Sequence, residues 1–376
     1  MPMNNSMLRR PSFLHTTIIK RFNVRGLSFV KTQSQPPGSA RSFLAFLLPL
    51  YFCFASLNSL ANTEETSDNN SAFKVCAVYP HLKDSYWLSV NYGMVEQAKK
   101  LNITLKVYES GGYPNHKKQQ SQLADCAHWG AEAIVLGTVS PDLYTETLRD
   151  YTGTTPVFAT VNHLELDDYN ARYFKGSVGV DWHQMGYLTG QYLAQKHPKG
   201  SGRVNIALFP GPDSSGGTKP AVKGFYEAIQ SSDIHIVETL WADNDKELQR
   251  NLVQELMLKH EVDYIVGSAV ATEAAISEVR SSTGQEHTQL ISFYLSHGVY
   301  RGIIRGRVEF SPTDQMVEQG RLSILQAYHY LNGNRFTFSQ APEIQIITAS
   351  SLLENRINHS LSPSGYRPTF SVETVD

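Results

Sequence analysis

From Phe73 onward, short apolar runs alternate with longer segments whose apolar residues recur at helical spacing. Lys74-Val75-Cys76-Ala77-Val78-Tyr79 reads as a buried strand closed by Pro80. Apolar positions three and four residues apart predict a helix from Ser85 to Leu101, and Ile103 to Tyr108 predicts the next strand. A helix from His116 to Trp129 follows, stopped by Gly130, then a strand at Ala133–Leu136, a helix from Pro141 to Tyr151 and a strand at Pro156–Val161. Such alternation implies a parallel sheet with helices on both faces.

The pattern pauses across Glu165–Lys175 and restarts. Val178-Gly179-Val180-Asp181 is a short strand and Trp182 to Lys196 a helix. Val204–Phe209 is a strand, closed by a Gly-rich turn from Pro210 to Gly217. Helices at 219–231, 245–260 and 271–283, with strands at 234–240, 263–267 and 289–294, complete a second α/β set. Two such sets predict two lobes, residues 73–181 with 312–337 and residues 182–311 with 338–376, joined by hinge crossings. A last long helix is expected at 314–332, with Asp314 an N-cap candidate by residue type, and an extended stretch at Glu343–Thr348 after it.

Charge changes the reading of the first 61 residues. They hold seven basic residues and no acidic one, leaving 26 basic against 35 acidic in the remainder. After Arg41 comes an apolar run, Phe43 to Leu57, then Ser59-Leu60-Ala61. A basic start, a short apolar stretch and small residues at the exit predict a secretory signal over residues 1–61, cleaved near Ala61. The run contains Pro49 and falls short of the ~20 residues a spanning helix needs. Bulky Tyr51 and Phe52 precede Cys53, unlike the small residues of a lipoprotein signal, and the long basic start leaves Met7 or a later residue open as the first translated. Residues 62–72 read as a polar, disordered leader. An acidic chain beyond the signal, with no basic patch or helix-turn-helix, argues against nucleic acid as a partner.

Cys76 and Cys126 remain, in a chain bound for an oxidising compartment. They could be paired or be two buried thiols. In a sheet of order 2-1-3, the helix between strands 2 and 3 crosses over strand 1. Cys76 lies on that strand and Cys126 on that helix, which favours a disulfide.

The chain resembles the ribose-type periplasmic binding proteins. The resemblance rests on Val78-Tyr79-Pro80 before Asp84-Ser85-Tyr86-Trp87, on Gly130-Ala131-Glu132-Ala133-Ile134, on Gly179-Val180-Asp181, on Lys223-Gly224-Phe225 and on Asp314-Gln315. Longer runs, Leu82 to Ser89, Asn91 to Met94, Gln184 to Tyr187, Pro210 to Asp213, Gln249 to Leu252 and Ser292 to His297, are similar to the branch that senses trimethylamine N-oxide together with a membrane histidine kinase. The resemblance implies a type I periplasmic binding protein fold, a periplasmic location, that N-oxide as ligand and the periplasmic domain of such a kinase as partner.

The departures from the sugar binders say more. Where those relatives have Arg, Asn-Asp and Gly-Phe-Asp for sugar hydroxyls, this chain has Ala221, Ser268-Ala269 and Ser292-Phe293-Tyr294. Aromatics stand in the same loops: Tyr86, Trp87, Tyr113, Trp182 and Tyr294. Rings can surround a methylated cationic nitrogen at roughly 0.5–2 kcal/mol per contact, while phenol and indole groups donate to the oxide. Single aromatics more often fill core, but these five follow or end strands at the carboxyl edge, where open sheets bind ligands. Asp84 is expected either to orient the donors, to bind a protonated oxide or merely to cap the helix at Ser85. Asp314 and Gln315 sit where sugar relatives place ligand contacts, though capping or hinge duty competes for Asp314. As cleft residues, Trp87 and Trp182 are expected to face solvent without ligand, so that their loss should cost binding more than stability.

Other signals are weaker. Gly211 to Thr218 has Thr218 where a phosphate loop needs lysine, and reads as a lobe-end loop that could serve a partner. There is no H-E-x-x-H, no Cys/His cluster and no G-x-S-x-G, so neither metal, cofactor nor enzymatic chemistry is expected. A receptor feeding a permease, with a betaine-like or sugar ligand, is the competing reading within the same fold.

Overall fold

The computed structural model describes residues 72–213, 215–352 and 357–374. The expected export signal, and all of the leader except Ala72, lie outside them. The first half-chain runs β1 (Lys74–Tyr79), α1 (Ser85–Lys100), β2 (Thr104–Glu109), α2 (His116–His128), β3 (Ala133–Leu136), α3 (Leu148–Thr152), β4 (Val157–Val161) and β5 (Phe174–Gly179). It continues with α4 (Trp182–Lys196), β6 (Val204–Gly211), α5 (Thr218–Ile229), β7 (Ile234–Trp241), α6 (Lys246–Lys259), β8 (Tyr264–Gly267), α7 (Ala269–Ser281), β9 (Gln289–Ser292) and α8 (His297–Ile304). Last come β10 (Phe310–Thr313), α9 (Met316–Leu331), β11 (Ser339–Gln340), β12 (Gln345–Thr348) and β13 (Ser371–Val372).

Two sheets result. One has the order β11-β5-β4-β3-β1-β2-β13 and the other β12-β10-β9-β8-β6-β7. All pairs are parallel except β13 on β2 and β12 on β10, which close one edge of each sheet antiparallel. Central strands β1, β3, β4 and β8 are almost wholly buried and mostly Val, Ile, Ala and Leu, as expected of strands covered on both faces. The 2-1-3 order carries α2 over β1 and joins Cys76 to Cys126, with Cα atoms 5.7 Å apart and both residues fully buried.

The structure differs from the sequence reading in several places. Residues 338–376 do not all belong to the second lobe: β11 and β13 border the first sheet, and only β12 joins the second. Two-residue edge strands carry no periodicity from which a pattern could place them. Pro312 and Thr313, assigned to the first lobe, lie in β10 of the second sheet. The helix expected at Pro141–Tyr151 shrinks to α3, because Thr145 turns back on the Asp142 carbonyl through both its amide and its hydroxyl. The strand expected at 178–181 begins instead at Phe174. α8 was not foreseen; it is short and holds Gly298 and Gly302.

Asp314 does not cap α9. That position belongs to Gln315, which lies in the left-handed region at φ 56° and makes no side-chain cap. Gln315 instead donates from Nε2 to the Glu343 carbonyl at 2.7 Å, tying two inter-lobe crossings together.

Candidate functional site

The carboxyl ends of β1, β4, β6, β7 and β9 open onto one cavity between the two sheets. Asp84, Tyr86, Trp87 and Tyr113 line it from the first lobe, Trp182, Ala221, Phe293 and Tyr294 from the second. Six of the seven ligand residues expected from sequence therefore meet at one place. The seventh, Asp314, does not reach the cavity.

The rings form a connected set. Tyr86 lies 6.0 Å from Trp87, 6.2 Å from Trp182 and 5.2 Å from Tyr294 between centroids, and Trp182 lies 5.9 Å from Tyr294. Two glycines make room for the indoles. A Cβ on Gly137 would come within 2.5 Å of the Trp87 ring, and one on Gly217 within 2.5 Å of Trp182. Val161 also lines the cavity and holds φ at 64°, a costly region for a β-branched residue that is tolerated where the surroundings enforce it.

Burial raises all three phenols. The Tyr113 hydroxyl is pushed up to about 12, opposed by Asn162 and Trp87. Tyr294 is raised by burial and by the Asp84 charge, and Tyr86 by burial and by Asp314. All three are thus neutral donors at neutral pH. The Trp182 Nε1–H is buried with no hydrogen-bond partner among the described residues, as are Asp84 Oδ2 and Asn244 Oδ1. A buried donor left unpaired costs about 1–3 kcal/mol, so a ligand that accepts from it recovers that energy.

Asp84 does two things. One carboxylate oxygen accepts from the Trp87 amide at 3.1 Å, capping α1, and the other faces His81 Nε2 at 3.9 Å. His81 is almost fully buried against Tyr113, and neither ring nitrogen has a hydrogen-bond partner among the described residues. Sequence reasoning missed His81, Asn162 and Asn244. The strand-end rule covers all three, since each follows β1, β4 or β7, but the sequence reading at these ends rests on the aromatics and Asp84. The loop read as a lobe end is part of the site as well: Pro210, Ser215, Gly217 and Thr218 line the cavity.

Trp87 corrects the expectation for cleft residues. It is 2% exposed, stacks on Tyr79 at 5.6 Å and belongs to the core, whereas Trp182 is only partly buried. Behind the box, the Tyr86 hydroxyl donates to Asp314 Oδ2 at 2.5 Å, and Gln319 Nε2 donates to the same oxygen at 2.7 Å. Asp314 is fully buried, and burial raises its carboxyl above the ordinary 3.8 despite these two donors. A carboxyl raised in the folded state favours folding in acid and loses that contribution as pH rises through its folded pKa. Asp314→Asn removes the ionisation, so the melting temperature of the variant relative to the wild type should be higher at pH 7 than at pH 4. Thermal melts of both proteins at the two pH values check this.

Two lobes of parallel sheet around an interlobe cavity define a solute-binding protein. The chain belongs to the family described as periplasmic binding proteins and sugar binding domain of the LacI family, whose profile matches residues 72–352. It is 45% identical to the periplasmic protein TorT of Escherichia coli K12 over 304 residues, 80% of this chain and 84% of that protein. It is also similar, with 59% identity and a TM-score of 0.75, to a chain of the TorS sensor domain–TorT complex solved in the presence of TMAO. The same complex without ligand matches at 58% identity and TM-score 0.75, and both matches cover 79% of this chain and 99% of the other. A glucose-galactose binding protein from Geobacillus stearothermophilus, 20% identical with a TM-score of 0.63 over 75% of this chain and 99% of that one, shares the fold.

Proposed function

We propose that the chain is a periplasmic sensor that binds trimethylamine N-oxide between its lobes and reports the binding to the sensor domain of a membrane histidine kinase. The observation that carries the ligand is the ring set with one unpaired donor. Methyl groups sharing a positive charge sit well against the faces of Tyr86, Trp87, Trp182 and Tyr294, while the oxide can accept from Trp182 Nε1 and from the Tyr113 and Tyr294 hydroxyls, the Tyr86 hydroxyl being committed to Asp314. The cavity is tight, about 30 Å³ where roughly 10–15 Å³ holds one water. Such a space favours a compact ligand over a pyranose ring. A hexose would also leave its hydroxyls facing rings and Ala221, and unpaired buried hydroxyls are costly. The similarity to a chain solved in complex with a sensor domain supports the partner. The role is binding and signalling, with no chemical step.

Calorimetry of the mature protein against trimethylamine N-oxide, betaine, choline and ribose tests the ligand. Saturable binding of the N-oxide and no ribose heat are expected. Ribose saturation with no N-oxide response would overturn the reading in favour of a sugar receptor.

A further inference from the structure

The second lobe carries a cationic groove that the ligand site does not use. Lys246 at the start of α6, Arg280 on α7, Arg301 on α8, and Arg305 and Arg307 just beyond it line a hollow of about 450 Å³. All five are exposed, and none forms an ion pair among the described residues. The acid in the groove, Glu273, is already engaged by the Ser296 hydroxyl at 2.5 Å. Nearby arginines behave otherwise: Arg250 pairs with Glu247 and Glu278, and Arg321 with Glu318. On a chain whose acidic residues outnumber the basic ones beyond residue 61, this cluster stands against the overall charge.

The groove is continuous with the mouth of the cleft. An adjoining hollow shares Lys246, Glu273, Gly298 and Arg301 with it, shares Asp84 and Asn244 with the ligand cavity, and adds Lys83 from the first lobe. The lobes also hold each other here. The His297 amide at the start of α8 donates to Ser85 Oγ of α1 at 3.0 Å, its ring bonds the Ser362 carbonyl at 2.8 Å, and the Ser362 amide donates to Ser89 Oγ at 3.1 Å. The same helix presents Arg301 and the 56% exposed Ile304 to solvent. Its outer face therefore follows any change in how α8 sits on α1.

We propose that the surface from Lys83 across α8 to Arg307 docks an acidic face of the sensor domain, with Ile304 as its apolar anchor; this rests on the signalling role argued above. Arginine suits the task, because its planar fork meets carboxylates in pairs and it is enriched among residues that dominate interfaces. A partner seated across both lobes gains or loses contacts as they shift, which is the differential affinity that transmission requires.

The test measures binding of the TorS sensor domain to wild type, to Arg301→Glu/Arg305→Glu and to Arg301→Lys/Arg305→Lys at several salt concentrations. Charge reversal should weaken binding at least tenfold and flatten its salt dependence, while the lysine pair keeps the salt dependence and loses a smaller part of the affinity, the part owed to the paired contacts. Calorimetry with trimethylamine N-oxide should stay within twofold for every variant, since neither arginine lines the ligand cavity. A charge-reversed variant that binds the sensor domain within twofold of wild type overturns the proposal. So does binding to phosphatidylglycerol vesicles that depends on Arg301 and Arg305 while sensor-domain affinity is untouched, since the groove would then face a membrane. If the wild type itself does not bind the sensor domain, the partner reading falls first and this surface with it; the calorimetric test of the ligand stands apart from both.

Discussion

Trp182→Ala should weaken trimethylamine N-oxide binding by roughly 30- to 1000-fold, or about 2–4 kcal/mol, the range for truncating a buried aromatic anchor. Three losses combine: a ring face beside the methyl groups, the contacts with Tyr86 and Tyr294, and the Nε1–H that has no partner among the described residues. Stability should change little. Trp182 is only partly buried, and the cap of α4 is made by Asp181, which accepts from the Gln184 amide at 2.9 Å. Trp87→Ala should behave differently, losing ligand affinity and destabilising the fold by about 3–5 kcal/mol, as for a large core aromatic. Its ring stacks on Tyr79 and fills the space over Gly137, so truncation opens a hole in the first lobe. Calorimetry and thermal melts on both variants separate the two effects. A Trp182→Ala protein that binds the N-oxide normally would remove the box from the mechanism.

Loss of the Cys76–Cys126 bond should lower stability by about 4 kcal/mol on the chain-entropy argument, since the loop it closes spans 50 residues. The bridge ties β1, the centre of the first sheet, to the helix that covers it. Cys76→Ala/Cys126→Ala, or treatment with reductant, should therefore lower the melting temperature by several degrees. Ligand affinity below the transition should be nearly unchanged, because neither cysteine lines the cavity. Alkylation of the unfolded but unreduced protein should find neither of these cysteines free by mass spectrometry. Alkylation of both would show that they are thiols.

Most of the architecture was legible along the chain because it depends on local pattern. Runs such as Ala133–Leu136 are apolar on both faces, and only a strand covered by helices on both sides accommodates that. The helix crossing from β2 to β3 follows from chain topology, and the disulfide followed in turn. The aromatic residues could be picked out because strand ends in an open sheet converge whatever their sequence separation. Tyr86 and Tyr294 are 208 positions apart and meet ring to ring.

What tertiary structure alone decided are matters of depth and partnership. Residue type and position made Asp314 a plausible cap. The bond from Gln319, five residues on, is local, but its burial behind Tyr86 depends on how α1 packs on α9, which no local pattern encodes. Trp87 and Trp182 look equivalent in sequence, each beside the start of a helix after an Asp. Only packing makes one a core residue stacked on Tyr79 and leaves the other partly open with a free indole donor. Edge strands β11 and β13 are two residues long, too short for periodicity, so their place is set by the backbone groups left unpaired on β5 and β2. Composition beyond residue 61 suggested no basic patch. The cationic groove exists because folding brings Lys246 and Arg280 beside the run from Arg301 to Arg307, and charge summed along a chain carries no information about that meeting.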